Sequence, residues 1–434
     1  MFWITAAIFS LTYLGLALGR VPGLRMDRAA IAFVGATLML VTGVLTIQQA
    51  VAPDSIDYET LFLLFGMMVV VGFLRISGVF ARLTRWSLGR IRTPRAMLAI
   101  TIMLAGVLSA FLVNDIVCLA ITPLVIHLAR RLRFDPLPHL IGLATAANIG
   151  SAGTITGNPQ NMIIGIQSRI PYLTFAAHLL PLAAIGLVID FLIVGWVYRA
   201  ALIPAVNDDV CAAPTAASPR ARAPHAAAAS TGLANFSRQR NRVVWLQRKS
   251  VAVTIVSVAL FFAGFQIALV AIGAAAVLLI DPIKSERIYG EIDWSLLLMF
   301  IGLFIVVHAF QERVVTTWGI DQSRRLLAHP IGELSIAAAV LSNLVSNVPA
   351  VLLFEPIMHA IPAAAQQTGW LALAMSSTFA GNLTVLGSVA NLIVIENARR
   401  EGVAISFTEY CKVGIPVTIA TLALGIAWLE LVAF

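Results

Sequence analysis

The stretch Asn148-Ile-Gly-Ser-Ala-Gly-Thr-Ile-Thr-Gly-Asn-Pro-Gln-Asn161 decides how this chain is read. It is rich in glycine and amides, yet it interrupts apolar sequence, with 140–147 before it and 162–166 after it. Upstream, the polar pair Asn114-Asp115 sits between two apolar arms, Ala96–Val113 and Ile116–Leu128. Polar, helix-breaking residues inside membrane-length apolar sequence are costly unless they line a cavity or bind something. Both features recur. Asn347 precedes Pro356 by the nine residues that separate Asn114 from Pro123, and Thr384, Gly387 and Asn391 repeat the spacing of Thr154, Gly157 and Asn161. Ile292-Asp293 stands before Gly302 as Ile56-Asp57 stands before Gly66. The matches lie at offsets of 230–236 residues, which points to an internal repeat. Two interrupted segments at matching places in two halves mark the binding site of a secondary transporter.

Composition agrees on the class. Of 434 residues, 59% are hydrophobic and 12% charged, where a soluble domain carries about 25% charged residues. Apolar runs of membrane length recur along the chain, so it reads as a polytopic membrane protein. The net charge of +8 does not argue for nucleic acid, because the basic residues sit in short loops between spans, where they set topology. Cys118, Cys211 and Cys411 are scattered and the histidines show no ligand spacing, so neither a disulfide framework nor a metal site is indicated. No nucleophile–base pair suggests an intramembrane enzyme. No Gly-x-x-x-x-Gly-Lys-Ser/Thr loop is present, so pumping by ATP would need an ATPase partner.

The expected fold is an all-α polytopic membrane protein of two inverted repeats, each with about five transmembrane helices, one re-entrant hairpin and a broken helix. Residues 1–198 form the first repeat and 251–434 the second. Between them, 199–250 is rich in Ala, Pro, Ser and Arg and reads as a basic, disordered linker. The first span, 2–18, has no basic leader and is expected to be retained. Residues 81–95 and 311–330 read as loops. The two-armed segments, 96–128 and 331–360, read as re-entrant hairpins because their arms fall short of a span of about 20 residues. Each half then crosses an odd number of times and the second is inverted. With the linker in the cytoplasm, 24 of the 29 lysines and arginines lie inside, and the outside loops hold only Arg169, Arg313, Arg324 and Arg325. This bias places both termini outside a cytoplasmic (inner) membrane.

The polar interruptions are the candidate site. Asn114 and Asp115 open the second arm of the first hairpin, where they can cap a helix or face a cavity with the positive end of its dipole. Ser346 and Asn347 offer a hydroxyl and an amide at the other tip, so the site is acidic on one side and neutral on the other. Substrate contacts are expected from Asn114, Asp115, Asn158, Ser346, Asn347, Asn382 and Ser388. A coupling ion, Na+ or H+, is expected at Asn114, Asp115, Thr154, Gly157, Asn161, Asn347, Thr384, Gly387 and Asn391, whose glycines bring backbones together and free carbonyls for ligation. Asp190 lies inside the fifth span and can pair, snorkel or carry protons, while Glu355 and Glu396 fall near span edges.

At Asn114-Asp115 with Pro123, Gly157-Asn158-Pro159-x-Asn161 and their second-half partners, the chain resembles the ion transporter superfamily. That superfamily includes the divalent anion–sodium symporters, the arsenite/antimonite permeases and sodium/proton antiporters, and the chain is most similar to the arsenite-permease and related citrate-transporter-like anion-permease branch. The resemblance covers all but the linker. It implies an inverted-repeat fold with a scaffold and a transport domain, a homodimer and an elevator-like motion. Carboxylate carriers of this group have Ser-Asn-Thr at both tips; here the tips are Val113-Asn114-Asp115 and Ser346-Asn347-Val348. That departure weakens a dicarboxylate cargo and puts a titratable group where a coupling cation would sit. The expected function is secondary transport of a small anion, or of arsenite or antimonite, coupled to H+ or Na+. A Na+/H+ antiporter on the same fold is the alternative, with Asp115 as the exchanging carboxylate. No cofactor beyond the coupling ion is implied.

Overall fold

The structure, a computed structural model, describes residues 1–18, 26–88, 91–203, 226–281, 285–315 and 331–432. The first half contains α1 (Phe2–Leu18), α2 (Arg28–Val41), the short α3 (Ile47–Ala50), α4 (Tyr58–Ile76), α5 (Val79–Leu88), α6 (Pro94–Phe111), α7 (Asn114–Leu132), α8 (Pro136–Ser151), α9 (Pro159–Ser168) and α10 (Tyr172–Val197). The second half contains α11 (Ala226–Phe262), α12 (Ile267–Leu279), the short α13 (Ser285–Tyr289), α14 (Trp294–Phe310), α15 (Gly332–Val345), α16 (Asn347–Ala360), α17 (Ala363–Ala380), α18 (Val389–Arg400) and α19 (Phe407–Val432). Among the described residues there is no strand. Among the described residues, six helical stretches are long and apolar enough to cross a membrane, in α4, α6, α10, α11, α14 and α19.

The Ile-Asp pairs do what their spacing suggests. Asp57 Oδ1 accepts from the Thr60 N–H and Asp293 Oδ1 from the Leu296 N–H, each at 3.0 Å, so equivalent aspartates cap α4 and α14. Both interrupted segments break in the same way. A 3-10 turn, Ile155–Gly157 or Val385–Gly387, separates α8 from α9 and α17 from α18.

The halves cross over each other. α2 packs on α14, and α12 packs on α4. The glycines matched in sequence make both contacts close: a Cβ on Gly66 would lie 2.6 Å from the Ala271 carbonyl carbon, and one on Gly302 would lie 2.7 Å from that of Ala32. The pairs α6–α8 and α15–α17 are equivalent, as are the cross-half pairs α7–α18 and α9–α16. The centre of the molecule is therefore where the two broken helices meet. Along α8, every residue from Pro138 to Ser151 is buried.

Three expectations change. The first two-armed segment is a helix pair, but α6 and α7 have 18 and 19 residues. At 1.5 Å per residue each reaches about 27 Å, close to the thickness of a hydrocarbon core, whereas α15 and α16 have 14 each. The short-arm argument therefore applies only to the second pair. The basic loop expected at 81–95 is helical as far as Leu88, because apolar and basic residues alternate there at helical spacing. The boundary at 250 falls inside α11. Residues 204–225 of the expected linker lie outside the described residues, and from Ala226 the alanine-rich backbone is helical, in keeping with alanine's helix preference.

Candidate functional site

Four helix N-termini meet at the centre, those of α7, α9, α16 and α18. The side chains that join them are amides and hydroxyls. Asn148, in the last turn of α8, is the hub. Its Oδ1 accepts from Asn114 Nδ2 at 3.1 Å and from Ser388 Oγ at 2.9 Å, and its Nδ2 donates to Asn382 Oδ1 at 2.8 Å and Asn391 Oδ1 at 3.0 Å. One residue thus ties the first tip to both sides of the second broken helix. It is 1% exposed.

The matching position in the other half is Thr378, and it makes matching contacts. Asn158 Nδ2 donates to Thr378 Oγ1 at 3.3 Å, and Thr378 Oγ1 donates to Asn161 Oδ1 at 3.5 Å. Gln160 Nε2 also donates to Thr378 Oγ1, at 3.3 Å. Asn347, with its amide turned to satisfy its neighbours, donates to the Gly387 and Ser377 carbonyls at 3.0 and 3.2 Å and accepts from Gln160 Nε2 at 3.2 Å. Asn382 Nδ2 donates to the Thr145 carbonyl at 3.2 Å.

Within each break, an asparagine holds the loop. Asn161 Nδ2 donates to the Ser151 and Thr154 carbonyls at 3.1 and 3.0 Å, and Asn391 Nδ2 to the Gly381 and Thr384 carbonyls at 2.7 and 3.1 Å. The glycine of each turn is there for space. A Cβ on Gly157 would lie 2.2 Å from the Ser151 carbonyl oxygen, and one on Gly387 would lie 2.8 Å from Asn343 Oδ1 and 2.9 Å from the Gly381 carbonyl oxygen. Asn158 and Ser388 cap α9 and α18 through their side-chain oxygens, accepting from the N–H groups of Asn161 and Ala390. Thr154 Oγ1 donates to the Ala110 carbonyl, and Thr384 Oγ1 to Asn343 Oδ1 at 3.5 Å, so each break is also tied to the helix before its tip.

Most of the residues singled out in sequence therefore meet. Asp115 and Ser346 do not join the network. Asp115 is partly exposed and only its backbone N–H is engaged, by Asn114 Oδ1 at 3.0 Å. Ser346 faces α2 instead, where Arg28 Nη1 donates to its hydroxyl at 3.4 Å. Glu396 pairs with Arg399 and Arg400 at 2.9 and 3.3 Å on the surface, and Glu355 is half-buried. Asp190 is wholly buried. Sequence reading did not place Asn148, Gln160, Thr378 or Asn343 in the site. Asn148 and Gln160 lie in the quoted stretch itself, and a polar residue ending a fully buried helix was the available signal.

The network consists of neutral donors and acceptors at the positive ends of four helix dipoles. Such a site can take a small anion or a neutral solute rich in hydroxyls, and its loop carbonyls are oxygen donors suited to a hard cation.

A sequence profile described as "Citrate transporter" matches residues 13–380, most of the chain. The chain belongs to the citrate transporter family. This family member is 33% identical to the silicon efflux transporter LSI3 of Oryza sativa subsp. japonica over 94% of its own length and 93% of that protein. It is 25% identical to a Dictyostelium discoideum transporter named arsB, over 93% of this chain and 87% of that one. Among solved structures, its fold is similar to that of the Alcanivorax borkumensis YdaH transporter, with a TM-score of 0.56, 13% identity, and 99% and 96% of the two chains covered. This member of the citrate transporter family is thus a multi-pass membrane transporter and not an enzyme.

Proposed function

We propose that the protein carries a small oxygen-rich solute, either an inorganic anion or a neutral hydroxide such as arsenite or silicic acid, across the cytoplasmic membrane, driven by protons or sodium. The observation that carries this reading is the convergence of four helix N-termini on a buried network of amides and hydroxyls without a charged member. The names of the silicon efflux transporter and of arsB point to cargo of the same kind. Citrate is disfavoured despite the family's name. Several carboxylates would enter a site whose network supplies no cationic side chain, and burying unpaired charge is costly.

In this reading the two halves are inverted repeats, and the network is the closed gate between them. Asn114 and Asn347 at the tips, with Asn158, Asn382 and Ser388 in the breaks, exchange their mutual bonds for bonds to cargo. Ser346, turned toward α2, and Asp115, at the rim, meet the cargo on its way in. The loop oxygens around Thr154, Gly157, Asn161, Thr384, Gly387 and Asn391 hold the coupling cation, with Asp115 as the nearby carboxylate. The linker lies in the cytoplasm, both termini lie outside, and the protein works as a homodimer, with an ATPase partner only if it acts as an arsenite-type pump.

A thermal-shift screen of purified protein against arsenite, silicic acid, sulfate and citrate, across sodium and pH, tests the cargo. A ligand that binds only the folded state raises its stability by about 2.7 kcal/mol at a hundredfold excess over its dissociation constant. A shift with citrate and none with the neutral hydroxides or sulfate would sink the proposal.

A further inference from the structure

Asp190 is the one carboxyl in α10, and its surroundings are unlike those of the other acids. Its side chain is 0% exposed, and neither oxygen has a hydrogen-bond partner among the described residues. Gly186, one turn earlier on the same face, sits against Ile149 of α8 and Thr421 of α19. This face therefore looks into the protein and not toward lipid. Burying a carboxylate without partners in such a place is costly.

Two hydroxyls stand ready nearby. The Thr145 hydroxyl lies beside the carboxyl but donates to the Ile141 carbonyl at 2.9 Å. Tyr410 lies within electrostatic reach, and its own buried hydroxyl has no partner among the described residues. The other helices packed on α10 add little charge. α8 contributes His139, α19 contributes Cys411 beside Tyr410 together with Glu409, Lys412 and Glu430, α6 contributes Arg95 in its first turn, α17 contributes none, and α11 contributes Arg248 and Lys249, the latter paired with Asp281 at 3.6 Å.

We propose that Asp190 is a proton-binding site of this transporter, linked to the amide network through Thr145. This rests on the proton-driven form of the reading above. The step is a simple protonation: the carboxylate takes one proton from water to become the acid, and returns it when the protein opens. When the carboxyl is ionised, the Thr145 and Tyr410 hydroxyls turn to it as donors. When it is protonated, Thr145 returns to the Ile141 carbonyl. The carbonyl of the same Thr145 accepts from Asn382, which in turn accepts from Asn148. The Thr145 carbonyl is thus two hydrogen bonds from the hub of the cargo site, and the Asp190–Thr145 contact is the third link in the path. The Asp115 carboxylate, partly exposed, makes no hydrogen bond to the network, which only its backbone N–H touches through Asn114.

Infrared spectra of the purified protein in lipid vesicles test this without any cargo. The wild type is expected to show a protonated carboxylic acid band at neutral pH that Asp190→Asn lacks and Asp190→Glu shifts. An unchanged acid band in both variants overturns the proposal, and Asp190→Glu alone decides it if the Asn variant does not fold. A second arm uses arsenite as the probe in the same vesicles. A pH gradient should drive uptake by the wild type, and Asp190→Asn should lose that drive while retaining arsenite exchange. Gradient-driven uptake that survives intact in Asp190→Asn also overturns it. If the wild type moves no arsenite, the cargo reading has failed, and the infrared comparison still decides Asp190.

Discussion

Asn148 uses both its oxygen and its amino group entirely on other side chains, from α7, the head of α18 and the break after α17. Asn148→Ala would strand Asn114, Asn382, Asn391 and Ser388 at once. Each buried polar group left without a partner costs about 1–3 kcal/mol, so the variant should lose a large part of its thermal stability, as differential scanning fluorimetry would read. Asp115 has the opposite profile. It bonds to nothing in the network through its side chain, so Asp115→Asn should fold and insert normally. If the carboxylate faces the coupling ion, concentrative transport should fall to background while passive exchange persists. Wild-type flux with unchanged ion dependence would return Asp115 to an ordinary acidic residue in the first turn of a helix. Ser346 has φ of 79° and ψ of 160°, a region natural only to glycine. Ser346→Gly should raise the melting temperature, by relief of about 1–3 kcal/mol of strain, while Ser346→Ala should not.

At the level of elements, the crossings of α2 with α14 and α4 with α12 rest on glycine and alanine because backbones must touch there. Gly66→Ala and Gly302→Ala push a methyl into the backbone of Ala271 or Ala32, which cannot rotate away as a side chain can. Both should destabilise the protein to a similar degree, since they break equivalent contacts. Gly273 is the internal control. It lies on α12 two residues from Ala271, yet a Cβ there would meet nothing within 4 Å. Gly273→Ala should be neutral or stabilising by about 0.5–1 kcal/mol, because alanine loses less backbone entropy in a helix. Equal destabilisation by all three substitutions would show that helix interiors here reject any added methyl.

At the level of the whole molecule, the equivalent hydrogen bonds made by Asn148 and Thr378, by Asn161 and Asn391, and by Asn158 and Ser388 relate the two halves as a pair. If the repeats are inverted across the membrane, the tips at Asn114 and Asn347 open to opposite sides. Single cysteines at these positions, in a protein with Cys118, Cys211 and Cys411 replaced, should react with impermeant thiol reagents from different sides, at least when transport is under way. Reaction of both from one side only, in every condition, would rule out the inverted arrangement.

What the sequence determined by itself was local. Spans follow from runs of apolar residues, the caps at Asp57 and Asp293 from a carboxylate one residue before such a run, and the breaks at 155–157 and 385–387 from Gly, Thr and Asn interrupting it. These signals lie within a few residues of what they control. The repeat was legible too, because equivalent local constraints leave equivalent spacings. The tertiary structure alone decided which residues share a site. Asn148 meets Asn382 and Asn391 across 234 and 243 residues of chain, and no local pattern distinguishes an amide with distant partners from one that caps its own helix. It also turned Ser346 toward Arg28, left the Asp190 carboxyl without a hydrogen-bond partner among the described residues and crossed α2 and α4 into the opposite half. A buried amide or carboxyl takes its chemistry from the groups that surround it, and those groups arrive only when the two halves close on each other.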